Sequence, residues 1–111
     1  MEAKAELLAA GFDPDVLSDR WTIVVGGPEQ QALELELRRE VARGHLLHGA
    51  DVLPVGVHVR RKEAIFWVQD RGCWAWVHLT GTVDSDPRWP SCVLCNTWDD
   101  LVAELADAGR A

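Results

Sequence analysis

The chain has 111 residues, 48% of them hydrophobic and 26% charged, and a formal net charge of −7. That length predicts one domain over 1–111 with a single core, and the composition excludes a disordered chain. Three cysteines without framework spacing exclude a disulfide scaffold, and Glu2, Lys4 and Glu6 near the start exclude a signal peptide or span, so a cytoplasmic protein with no membrane partner is expected.

In chain order, residues 2–10 read as a short Ala/Leu helix stopped by Gly11. Asp13-Pro14 then supplies an N-cap and a proline for a brief second helix. The β-branched run 21–25, closed by Gly26-Gly27, predicts a short strand. Residues 28–43 form the clearest helix, with Leu33, Leu37 and Val41 on one stripe, Glu34 and Arg38 as an i, i+4 pair, and Gly44 as its expected stop. A loop bounded by glycines follows, Gly44-His45-Leu46-Leu47-His48-Gly49.

Strands are predicted over 52–60, 63–69 and 73–81, joined by Arg61-Lys62 and Asp70-Arg71-Gly72, turns short enough to force an antiparallel meander. A two-residue first turn puts Val55, Val57 and Val59 on one face with Ala64, Phe66 and Val68, and His58 opposite Ile65. The second turn leaves two registers open, because a bulge at Gly72 moves Trp74 and Trp76 to the other face. Both faces are apolar in either case, and so short a chain is expected to cover them only in part. The stretch 82–91 is polar and broken by Pro87 and Pro90, with Trp89 expected to pin it to the body. Residues 92–95 add an edge strand, and Thr97 caps a last helix over about 98–108, with Asp99 and Asp100 in its first turn and Gly109 as its stop.

Charge is uneven: residues 1–51 carry ten acids and five bases, 52–72 two and four, and 73–111 six and two. Acidic ends around a mildly basic middle exclude a phosphate-backbone binder, so no nucleic-acid partner is expected; a basic protein is a compatible one. Cys92-x-x-Cys95 has the spacing of a zinc half-site, which Cys73, His45, His48 or His78 would have to complete; the bland reading is three small apolar residues. No serine or cysteine stands in a nucleophile context, and the histidines of the 44–49 loop more often bond backbone than catalyse. No cofactor is predicted. Trp67, Trp74 and Trp76 fill a core or form a binding face, since aromatic anchors dominate protein interfaces.

The run Gly44-His45-Leu46-Leu47-His48-Gly49, then Ala75-Trp76-Val77-His78-Leu79-Thr80, then Trp89-Pro90, resembles a group of small bacterial proteins with a "GHxLxG … VVHLT … WP" pattern. The resemblance covers about 32–102 and implies a compact α+β domain, with no activity attached. Gly81 and Lys62-Glu63 depart from the group, which favours an aromatic and an acidic pair there.

The reading is therefore an α+β domain, a three- or four-stranded antiparallel meander packed against helices over about 28–43 and 98–108. Its expected role is non-enzymatic protein binding, of the immunity or antitoxin-like kind or as a homodimer. Trp67, Trp74, Trp76, His78, His45, His48 and Trp89 are the candidate binding residues. The alternative is a small metal-binding or hydrolytic protein using the loop histidines with Cys92 and Cys95.

Overall fold

The computed structural model of the protein describes residues 2–82 and 86–110, so Asp84 and Ser85 of the expected polar loop lie outside the described residues. In chain order the elements are α1 (Glu2–Ala9), a 3₁₀ turn (Pro14–Val16), β1 (Trp21–Ile23), α2 (Glu29–Glu40), β2 (Val52–His58), β3 (Glu63–Val68), β4 (Cys73–His78), β5 (Ser91–Cys95) and α3 (Trp98–Asp107). The five strands form one antiparallel sheet in sequence order, one more strand than the meander expected and with β1 as the extra edge. No described helix is long and apolar enough to cross a membrane.

Local chemistry accounts for most boundaries. Asp13 caps the 3₁₀ turn through Asp15 N–H, and Thr97 caps α3 through Asp100 N–H. Gly109, at φ +71°, ends α3: its N–H bonds Ala106 O while Arg110 N–H bonds Leu105 O, which satisfies two of the last carbonyls. α2 ends three residues before the expected Arg43. Val41 is already extended, and Gly44, at φ +88°, serves the following turn instead of stopping the helix.

The register corrects the expected two-residue turn. Val57 pairs with Ala64 and Gly56 with Ile65, so the connection between β2 and β3 is the four residues 59–62 and His58 does not face Ile65. A bulge between Pro54 and Gly56 then turns Val55 away from Val57 and onto the opposite face, beside Leu53, Ile65 and Trp67. Proline lacks an amide donor and glycine lacks a side chain, so a central strand accommodates the pair at an irregularity. The second connection also has four residues, with Gly72 left-handed at φ +62°. Trp67 faces Trp74 and Ile65 faces Trp76, which resolves the second register.

Both sheet faces are covered by the chain itself. On one, α1 and α3 bring Leu7, Phe12, Trp98, Leu101 and Leu105 onto Leu53, Val55, Ile65, Trp67 and Trp74. On the other, α2 and the 44–50 loop bring Leu37, Leu47 and Ala50 onto Val52, Ala64, Phe66, Val68, Ala75 and Val77. The expectation of a sheet only partly covered is thus overturned for Trp67 and Trp74, which are 8% and 0% exposed. The centre of the first layer is aromatic: the Trp74 ring lies 4.8 Å from both Trp67 and Trp98, and Phe12 meets Trp98 edge-on at 4.9 Å. Offset and edge-on contacts of this kind add roughly 0.5–1.5 kcal/mol per pair beyond area burial.

Candidate functional site

Of the sequence-predicted site residues, Trp67 and Trp74 meet in the core, whereas the three candidate histidines do not converge. His45 is buried: its Nδ1 accepts the Leu47 N–H at 3.0 Å, which leaves the proton on Nε2 to be donated to Pro90 O at 2.6 Å. Both ring nitrogens are thereby engaged by backbone, and His45 is a fastener of the 44–50 loop. His48 is exposed beside a shallow hollow of about 210 Å³ lined by Leu37, Arg38 and Val41. His78 stands elsewhere, with Nε2 3.0 Å from Glu63 Oε2.

Cys92 and Cys95 do not form a half-site. In β5 Cys92 pairs with Val77 and packs on the α2 side, whereas Cys95 pairs with Trp74 and is buried on the α1 and α3 side. A spacing of three in a strand sends the two side chains to opposite faces. Burial pushes both thiols up from the ordinary cysteine range, away from the thiolate that binds metal or acts as a nucleophile. Among the described residues no three His, Cys, Asp or Glu side chains are grouped to hold a metal ion.

Two buried carboxylates organise the rest. Glu40, at the end of α2, accepts Thr80 N–H at 2.6 Å, Thr80 O–H at 2.9 Å and Gly81 N–H at 3.0 Å, tying the segment after β4 to the helix. Burial first, and then hydrogen bonding with Glu36 one turn earlier, raises its pKa above the usual carboxylate range. Glu63, at the start of β3, accepts Trp76 Nε1–H and Arg110 Nε–H, both at 3.1 Å, and so holds the end of the chain on the sheet. Trp76 is half-buried, with its indole nitrogen consumed by that bond.

One apolar and open surface lies along β5. At the edge of the sheet this strand has one neighbour, β4, among the described residues. Val93 is 37% and Leu94 38% exposed, on opposite faces of the strand. No charged residue occurs from Ser91 to Asn96. Trp89, just before it, is 48% exposed; the segment is fastened through Pro90 and not, as expected, through the indole. Sequence reading noted an edge strand here but passed over Val93 and Leu94. The available signal was an uncharged run without the lysine, proline or inward-pointing charge that blunts most edges.

Comparison with protein-family models, curated proteins and solved structures returned no match to this chain.

Proposed function

We propose that the chain is a non-enzymatic protein-binding domain that docks by strand addition along the open edge of β5, and that the partner fitting this edge is a second copy of the chain. The observation that carries the reading is an uncharged edge strand whose outer side has no neighbouring strand among the described residues and whose apolar side chains are exposed on both of its faces. An edge strand presents a row of backbone donors and acceptors, and an added strand satisfies them while burying the side chains beside them. The aromatic layer supports this surface from within, since Trp74 is paired with Cys95 of β5.

A second copy fits because antiparallel pairing about a two-fold axis near Val93 is self-complementary. Each Ser91 end then meets a Cys95 end. The uncharged centre lets two chains of net charge −7 meet where their repulsion is least.

An immunity or antitoxin-like role is the second reading. It draws support from the exposed carboxylates Asp99, Asp100, Glu104 and Asp107 of α3, the helix that follows β5 directly, which favour a basic protein.

Sedimentation velocity across a wide concentration range tests the reading. A dimer that Val93→Lys converts to a monomer, with an unchanged far-ultraviolet circular dichroism spectrum, supports it. A monomer at every concentration removes the second copy as partner. A complex with a basic protein that Val93→Lys also breaks assigns the edge to the immunity-like role instead.

A further inference from the structure

A cleft lies away from β5, where three segments distant in sequence meet. Its volume is about 760 Å³, and its lining includes Arg20 before β1, His58, Arg60 and Arg61 at the β2–β3 turn, and Arg110 after α3, with Asp19 as the lining carboxylate. In a chain of net charge −7 this is a local reversal of sign.

The fold holds the cleft in shape. Trp21 pairs with His58 in the sheet, Val59 N–H bonds Arg20 O at 2.7 Å, and Trp21 Nε1–H bonds Arg110 O at 2.6 Å. Arg20 Nη1 reaches Gly109 O at 3.3 Å, and Arg110 is oriented by Glu63. Arg60 and Arg61 are exposed and make no ion pair among the described residues, so their guanidinium groups are available. His58 is buried, its ring edge-on to Trp21 at 5.1 Å, and its Nδ1 accepts Arg60 N–H, which leaves the proton on Nε2. Burial first, then the charges of Arg61, Arg110 and Arg20, lowers the pKa of His58, while Glu63 opposes the shift. The imidazole is therefore a neutral donor within reach of three arginine fields.

We propose that this cleft binds a phosphate-bearing small molecule, with Arg20, Arg60, Arg61 and Arg110 around the phosphate group and His58 donating from the floor. Guanidinium forks match phosphate oxygens in pairs, and several converging on one site select a multiply charged group over a single carboxylate. Four arginines against Asp19 and the Glu63 behind Arg110 leave two uncompensated positive charges, which suits a phosphate monoester dianion. A long polyanion is disfavoured, because the acidic remainder of the molecule repels everything that extends beyond the cleft.

The test is titration of the full chain with inorganic pyrophosphate at low ionic strength, read by calorimetry and by tryptophan emission, since Trp21 lies beneath the site. Saturable one-to-one binding is expected, weakened at least about tenfold per arginine removed in Arg60→Ala and Arg61→Ala and further weakened by added salt. Both positions are exposed, and an unchanged melting temperature certifies the fold of each variant. Arg38→Ala, on the exposed side of α2, should bind like the parent. No saturation by about 10 mM ligand, or equal loss in Arg38→Ala, overturns the site. Citrate binding as tightly as pyrophosphate overturns the phosphate assignment.

Discussion

His45 Nε2 donates to the carbonyl oxygen of Pro90 over 2.6 Å, so the loop that follows α2 is fastened to the segment that leads into β5, forty-five residues further along the chain. The histidine of the glycine-bounded loop and the Trp89-Pro90 pair, two of the three runs that carry the resemblance, are thus two halves of one contact. The loop in turn seals the α2 face through Leu47, and Arg71 adds a hydrogen bond to Leu46 O.

Removing that imidazole should be costly. In His45→Ala the buried Pro90 carbonyl and Leu47 amide both lose their partner, at about 1–3 kcal/mol each, and a void remains. A loss of about 3 kcal/mol and a fall in Tm of roughly 15 °C are expected. His48→Ala, three residues on and exposed, should stay within about 0.5 kcal/mol of the parent. Thermal unfolding of the two variants side by side checks the contrast; equal effects would deny His45 its fastening role.

The sequence makes the sheet legible and its covers much less so. Apolar residues on both faces of 63–68 and 73–78 announce a sheet buried on two sides, and the caps at Asp13 and Thr97 stand where local chemistry demands them. The missing cover is α1, a weakly amphipathic helix whose Leu7 is nevertheless buried and whose Glu6 accepts Trp67 Nε1–H at 3.1 Å. Helical propensity shows that such a segment forms but not where it docks, because docking depends on contacts some sixty residues away. The bulge that moves Val55 was announced by Pro54 and Gly56 within one strand, a signal that outweighs simple alternation. The arginine cleft was not legible: Arg20, Arg60 and Arg110 become neighbours only through the pairing of β1 with β2 and the bond from Trp21 to Arg110.

The Glu36 and Glu40 pair should give stability a measurable dependence on pH. Glu40 has a pKa raised by burial and by Glu36, whereas bonds from Glu40 and then Arg39 lower that of Glu36. A carboxyl whose folded pKa is raised contributes stability that is full below the unfolded value, about 4.3, and is lost as pH climbs through the folded value. The lowered Glu36 acts oppositely, with a contribution present above about 4.3 and lost as pH falls through its folded value. Glu36→Gln removes the neighbour that raises Glu40, so the decline in stability above the ordinary carboxylate range should flatten relative to the parent. Urea midpoints measured from acid to neutral pH for both proteins decide this, and parallel curves would show that the two carboxyls are not linked.

Glu63 and Arg110 should behave as a coupled unit at the closing end of the chain. The carboxylate is fully buried and its Oε2 accepts Arg110 Nε–H at 3.1 Å, so Arg110→Ala strips a buried charge of its cation. Such a loss costs about 3 kcal/mol, partly offset here because Trp76 Nε1–H and His78 Nε2 still serve the carboxylate. Glu63→Gln keeps the shape and the Trp76 bond while removing the charge that Arg110 answers, and it should cost less than Arg110→Ala. Once the carboxylate is gone, removing the guanidinium has little left to uncover, so the double variant should be more stable than the two losses added together, by about 1–2 kcal/mol. Urea unfolding of the four proteins in the cycle measures that difference. Strict additivity would mean that Arg110 is held without Glu63, by its bonds with Trp21, Leu105 and Ala108, and that the cleft it lines keeps its shape without that carboxylate.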